Sequence, residues 1–450
     1  MTELELAVAR GVDRARGDEE LEAYAVHRVT TAIKAGTDTE IRDVSRAETV
    51  GLGIRIISNG SLGYASATDL DESSISLTVS RARANAAASE RDDAQRLPDP
   101  EDVGTGDESL RPELDSFSLE SRIEQVRDLA RRTISADSRV TAIDAAEYHV
   151  ETRNIAIAST KGVDVTHQGG QAELWVDALG EAGEFRGSEY AYQLEHNPRD
   201  FDPEALARKA VDRTVQLLGP TMSAPTGAPI ILDPYVVAEI LTAIGKALCG
   251  GPISTGRTPF AQRNGQRVAA NCVSLFDDGL SPDSTRAAAY DDEGMRRRRT
   301  PLIQDGVLVG ALHSTVTARA IGDGVASTGN ATRTSHKAPP RAAPTSLALG
   351  ATATRAELLA EVGEAIYVQQ LSGAGVGISP VTGRIDVGAS ALLWRDGLIV
   401  GRLGVLPIAT DLISLLESID GVGDDTQPLP FSVASGSTVL CSSGLLNSID

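Results

Sequence analysis

Six histidines, His27, His149, His167, His196, His313 and His336, are the first side chains to question for metal or acid–base chemistry. None is followed directly by Glu, and no two lie three to five residues apart. A zinc-protease helix needs two imidazoles that meet one metal and a Glu beside the first to activate water, and that template is missing. Spacing alone leaves open a site assembled from distant residues. Nucleophile templates are missing too: there is no G-x-S-x-G elbow, no S-x-x-K and no G-x-x-x-x-G-K-[ST] loop. Gly373-Ala374-Gly375-Val376-Gly377 reads as a tight turn rather than a phosphate cradle, because no clear strand and helix flank it. Cys249 follows an apolar stretch and reads as a small buried hydrophobe rather than a thiolate. The run Arg296 to Arg299 directly follows Asp291-Asp292-Glu293, whose charge offsets most of its own, so a solvated loop is expected.

Any site must be positioned by a chain of 450 residues with 42 Lys plus Arg, 63 Asp plus Glu and a net charge of −21. At roughly 150 residues per domain, two or three cores are expected. Hydrophobic residues at 41% and charged residues at 23% are ordinary globular values and exclude wholesale disorder. The strong negative charge repels phosphate backbones, which argues against nucleic acid as a partner. Three widely spaced cysteines, Cys249, Cys272 and Cys441, suit a reducing cytosol better than a disulfide framework. The first twenty residues lack a basic segment followed by an apolar one, and no run approaches the ~18 apolar residues of a membrane span. A soluble cytoplasmic protein is therefore expected, with no membrane association.

Periodicity predicts an amphipathic helix over 3–16, strands over 23–33 and 50–57, and a two-residue turn at Asn59-Gly60. Asp69 is expected to cap a helix running to about residue 89, and 97–116 reads as a surface connection. The order then recurs: a helix over 119–134, strands over 140–158, 163–178 and 185–194, a Lys161-Gly162 turn, and a helix from Asp202-Pro203 to 218. The proline-rich 219–229 is the expected domain boundary. Beyond it come a strand over 230–232 and a helix capped by Asp233-Pro234. Strands at 302–311, 346–349, 391–403 and 438–441 and helices at 355–363 and 410–419 complete the prediction. The fold class is α+β with two domains: an N-terminal domain of antiparallel sheet with helices (1–220) and a β-rich C-terminal domain with a few helices (228–450).

Several segments then resemble one family. Residues 50–70 (VGLGIRIISNGSLGYASATDL) resemble the N-terminal hairpin of the TldD/PmbA family, the two related subunits of a heterodimeric zinc peptidase. Residues 291–310 (DDEGMRRRRTPLIQDGVLVG) resemble its acidic turn and following hairpin, and 327–333 (STGNATR), 379–384 (SPVTGR) and 386–390 (DVGAS) its later glycine-rich segments. These matches run in the family's order across nearly the whole chain.

TldD-type subunits carry a His-Glu-x-x-x-His motif on the helix that corresponds to the one after Asp233. Here that stretch is similar to Leu241-Thr242-Ala243-Ile244-Gly245-Lys246, with Leu241 and Lys246 at the two ligand positions and Thr242 at that of the general base. Leucine cannot ligate, threonine is no base near neutral pH, and an ammonium repels a dication. The family's C-terminal Cys-Gly-Lys segment is also missing, and 421–430 (GVGDDTQPLP) occupies that neighbourhood. The resemblance therefore implies a TldE (PmbA)-type subunit lacking the zinc motif: non-catalytic, with no metal or catalytic residue of its own. It would close a chamber over the zinc of a TldD-type partner and admit flexible peptides or, in natural-product maturation, small amide conjugates. Asn330, Arg333 and His336, in a matching loop, are candidates to bind a peptide carboxylate or carbonyl, with backbone satisfaction or solvation as the alternative. Two other readings remain open: a stand-alone homodimeric binding or scaffold protein, and a zinc-independent hydrolase using Cys249 or Cys272.

Overall fold

The computed structural model describes residues 1–99, 105–107, 114, 117–281, 284, 286–429 and 433–442. Helix α1 (Glu3–Val12) starts at a capping box in which Thr2 accepts from the Glu5 amide. Strands β1 (Glu20–Ala35), β2 (Ile41–Ser58) and β3 (Ser61–Ala67) form an antiparallel meander. Its tight turn has positive φ at both Asn59 (50°) and Gly60 (81°), the geometry of a type I′ hairpin. Helix α2 (Glu72–Ala88) is capped by Asp71 rather than the expected Asp69, because the Asp71 carboxylate reaches the amides of Ser73 and Ser74 at 2.8 and 3.0 Å. Helices α1 and α2 bury Ala7, Val8, Ile75 and Val79 against Leu21, Leu52, Ile54 and Ile56 on one face of the meander. Gly63 permits that contact: a Cβ there would lie 1.9 Å from the Ala82 carbonyl oxygen.

A short strand β4 (Thr105–Asp107) precedes α3 (Leu119–Ala136), β5 (Val140–Ser159), β6 (Asp164–Ala182), β7 (Phe185–Glu195) and α4 (Pro203–Gln216). All seven strands join one sheet in the order β3-β2-β1-β5-β6-β4, with β7 also on β6. The two hairpin units meet where β1 pairs antiparallel with β5, from Glu22 opposite Ser159 to Ala35 opposite Ala146. Most of the expected 97–116 connection lies outside the described residues.

Residues 219–229 contain no helix or strand. Strand β8 (Ile230–Leu232) and helix α5 (Pro234–Ala247) follow. β8 lies inside a six-stranded sheet, parallel to Glu364–Ser372 and antiparallel to Val439–Cys441. A four-stranded sheet contains β9 (Leu275–Asp278), β10 (Arg299–Gln304), Val307–Leu308 and Leu347–Leu349. The two sheets pack around α5, which forms the centre of the largest apolar cluster. The architecture is the expected α+β class, with differences in detail: a strand over Glu364–Ser372 was not expected, and the run predicted over 302–311 is broken after Gln304 by a turn at Asp305-Gly306. The run predicted as one strand over 391–403 is split between Arg384–Arg395 and Leu398–Asp411 by a turn at Asp396-Gly397, where φ is positive at both residues. The helices expected at 355–363 and 410–419 shorten to Arg355–Leu359 and Leu412–Glu417. Among the described residues no helix is long and apolar enough to cross a membrane.

Candidate functional site

Helix α5 is apolar nearly all round, which is the signature of a buried helix rather than a surface one. Asp233 caps it by accepting from the Tyr235 amide at 2.9 Å, and Pro234 fills the first helical position, where a missing N–H costs nothing. The same carboxylate accepts from Arg213 Nη1 at 2.8 Å and from the Tyr367 hydroxyl at 2.6 Å. Arg213 on α4 also donates to Glu189 Oε2 on β7 at 3.1 Å and lies 4.4 Å above the Tyr235 ring. This buried clamp fixes the start of α5 against the first sheet and its helices. Burial and the Asp233 charge together hold the Tyr367 hydroxyl well above its ordinary range.

The three positions that resemble a zinc motif have different surroundings. Leu241 is 1% exposed in the core. Thr242 donates its hydroxyl to the Ala238 carbonyl at 2.9 Å, and Lys246 is exposed in the last turn, where a cation suits the helix C-terminus. A side chain in the core, a hydroxyl bonded to its own helix and a solvated ammonium do not form a zinc-binding donor set. Among the described residues no group of three or more His, Cys, Asp or Glu is arranged to hold a metal. Cys249 donates to the Gly245 carbonyl at 3.3 Å, and burial pushes its thiol up to about 12, which leaves no thiolate at neutral pH.

One acid on α5 should register in solution. Burial, reinforced by Glu189, pushes Glu239 up to about 7 from 4.5, and its Oε2 has no hydrogen-bond partner. The folded state therefore holds this proton more tightly than the unfolded chain does. The stabilisation is fully present below about pH 4.5 and is lost as pH rises to about 7. Glu239→Gln should flatten that part of the stability profile and gain roughly 1–2 kcal/mol above pH 7 in urea denaturation. A variant with the wild-type profile would show that Glu239 is not the group responsible.

The acidic turn and the loop after it differ from the solvated arm expected of 291–299. Asp291 and Glu293 are 0% exposed, and Arg297 is buried with hydrogen bonds to the Tyr290 carbonyl (3.0 Å) and Thr345 Oγ1 (2.9 Å). Only Arg296, Arg298 and Arg299 reach the surface. The reason is a charge on the first sheet: Arg55 of β2 donates to Glu293 Oε1 at 2.9 Å and to Glu22 of β1, so the acid answers a partner 238 residues away rather than its neighbours.

The three loop candidates join this network. Arg333 pairs with Glu22, donates to the Tyr64 hydroxyl at 3.1 Å and lies 4.6 Å over the Tyr24 ring. Asn330 donates to Asp277 Oδ2 at 2.6 Å. The His336 ring rests on β2, where a Cβ on Gly51 would lie 2.2 Å from its Cγ, and its Nε2 has no hydrogen-bond partner. All three residues are buried. The structure therefore brings them together, but Asn330 and Arg333 already have internal partners, which a substrate would have to displace. Sequence reasoning misses Glu22 and Arg55 and assigns Glu293 only to the neighbouring arginines, although a charge inside ELEAYAV and inside VGLGIRII is a visible break in apolar strands.

Two of the concavities among the described residues adjoin these elements. A cleft of about 470 Å³ runs between the first sheet and the four-stranded sheet, walled by Gln171, Glu195 and His196 on one side and Phe276, Asp278 and Ser346 on the other. A second, of about 390 Å³, lies beyond the C-terminal end of α5, between Cys249, Ser314, Thr317 and Arg341.

The chain matches three consecutive models of one family: PmbA/TldA metallopeptidase domain 1 over residues 21–86, the central domain over 112–218 and the C-terminal domain over 225–446. It is 25% identical to metalloprotease PmbA of Escherichia coli, over 98% of this chain and 94% of that protein. It is 24% identical to a metalloprotease PmbA homologue of Haemophilus influenzae, over 94% of this chain and 92% of that one. Its fold is shared with TldE from Thermococcus kodakarensis at a TM-score of 0.86 and 21% identity, covering 98% of this chain and 99% of that chain. With its domains in the family's order along almost its whole length, the chain belongs to the PmbA/TldD family of metallopeptidases and has a peptidase-related role.

Proposed function

We propose that this chain is the non-catalytic, TldE-like subunit of a heterodimeric zinc metallopeptidase, acting in the cytoplasm on flexible peptides or small amide conjugates. The observation that carries the reading is the fate of α5. Its frame is kept and clamped at Asp233, while the positions a zinc ligand and a base would occupy hold Leu241, Thr242 and Lys246. Zinc and the catalytic Glu then belong to a TldD-type partner. This chain supplies part of the wall that keeps the partner's metal away from bulk water and admits only peptides slim enough to enter.

Such a wall has to seal, and lasting interfaces of this type commonly bury more than ~2,000 Å². The purified chain should carry far less than one zinc after gel filtration and should shift to a heterodimer when a TldD-type chain is added. Near-stoichiometric zinc that survives mild chelation, or a chain indifferent to that partner, would overturn the assignment. The second outcome would favour a stand-alone homodimer.

A further inference from the structure

The face of the first sheet that carries Tyr24, Val26, Ile155 and Val165 is covered by the segment bearing Tyr290. One end of this face is built differently. Arg28 on β1 stands directly opposite Arg153 on β5, with Thr49 of β2 and Gly169 of β6 completing the row. Like charges in directly opposed cross-strand positions repel at Cβ separations of about 5 Å. Nothing in the fold requires this pair, since the next alternate position toward the core on these strands is filled by Val26 and Ile155.

A third cation, Arg286, comes from the covering segment. It is partly buried, close enough to Arg153 and Arg297 that both, after burial itself, lower its proton affinity. Neither the Arg286 nor the Arg153 guanidinium makes a hydrogen bond or ion pair among the described residues. Arg28 has one distant acid, Glu151 at 3.7 Å. The nearby acids Asp292 and Glu151 leave a surplus of positive charge here, on a chain whose net charge is −21. Gly169 has no side chain, and the Arg153 side chain lies over it: a Cβ there would meet Arg153 Nε at 3.5 Å. His167, opposite Ile155 on β6, is neutral here, because burial pushes it down to about 4.

Three clustered guanidiniums, two of them without a hydrogen bond or ion pair among the described residues, favour an anion. The planar fork of arginine matches a carboxylate in two parallel hydrogen bonds. We infer that Arg28, Arg153 and Arg286 form a carboxylate-binding site that takes the C-terminal carboxylate of a peptide. The choice of a peptide as the source rests on the peptidase-subunit reading above, whereas the site itself rests only on these three side chains. A bound free-acid end would fix the polarity with which a peptide lies along the sheet.

The test is calorimetric titration of the full chain at low salt with a short peptide as the free acid, with the same peptide C-terminally amidated, with acetate and with inorganic phosphate. The free acid should bind at least about tenfold more tightly than the amide, and acetate should compete with it. Arg153→Gln and Arg286→Gln, which lie on different elements, should each remove the difference, while Arg208→Gln on the exposed face of α4 should keep it. Equal binding of acid and amide, a difference that persists in both variants, or binding of phosphate alone would overturn the proposal. Because no partner chain is present, a negative result leaves the heterodimer reading standing. A failed heterodimer likewise leaves this acid-over-amide preference to be measured.

Discussion

Arg55→Ala is expected to lower the stability of the chain by roughly 3–5 kcal/mol, more than any surface substitution considered. Arg55 is 2% exposed and joins Glu22 of β1 to Glu293 of the acidic turn, both of them also buried. Removing the guanidinium leaves two carboxylates in a site that water does not reach, and only Glu22 keeps another cation, Arg333. The desolvation of the orphaned Glu293 is then opposed only by the Thr315 amide at 2.9 Å. Loss of the tether should also free 291–297 from the sheet, so limited proteolysis should cut there first. Urea denaturation is the primary measurement. The argument includes its own control: Arg55→Met combined with Glu22→Gln and Glu293→Gln removes the charges together and should recover much of the loss, because a buried network stabilises far less than its broken halves destabilise. A single Arg55→Ala variant within about 1 kcal/mol of wild type would show that the network is solvated in solution.

The second large effect is expected from rebuilding the zinc motif. Leu241→His, Thr242→Glu and Lys246→His together should give neither tight zinc binding nor peptidase activity, and should cost about 2–4 kcal/mol. The cost arises mainly at position 241, where an imidazole replaces a leucine in the core beside Ile240 and Ile244. The lack of function follows from geometry. Position 241 points into the core, Thr242 sits over the Ala238 carbonyl, and among the described residues no cluster of His, Cys, Asp or Glu stands ready to supply the further ligands. Zinc titration, peptide hydrolysis and thermal unfolding on the same sample decide the matter. Tight zinc with hydrolysis in the absence of any partner would mean that the remaining site is intact.

Much of the fold was legible because its elements are specified locally. The meander follows from alternation and from Asn59-Gly60, whose two positive φ angles few residue pairs tolerate. Helix α5 follows from Asp233-Pro234 and an apolar run. Local signals fail where two residues qualify equally: Asp69 and Asp71 both precede the α2 pattern, and only the geometry of the Ser73 and Ser74 amides selects the second. Strand Glu364–Ser372 escaped because its Gln369-Gln370 pair reads as polar, although Gln369 is buried and donates to the Arg213 carbonyl at 3.1 Å.

The site was the less legible part, for the same reason on a longer scale. Asp291, Glu293 and Arg297 look self-compensating in sequence, but Glu293 is answered by Arg55 and Arg297 by Thr345 and a backbone carbonyl. Partners 48 or 238 residues apart leave no local pattern, and only the odd charge inside an apolar strand hints that one exists.

The central claim is that this chain completes a peptidase whose metal lies elsewhere. Its most direct test is hydrolysis of an unstructured peptide by a TldD-type chain, alone and with this chain added at equal concentration. The account predicts that hydrolysis rises with added chain until the two are equimolar, that the rise survives the triple substitution's single component Thr242→Val, and that chelation of the partner abolishes it. Activity by the TldD-type chain that is unchanged at every concentration of this one would contradict the account.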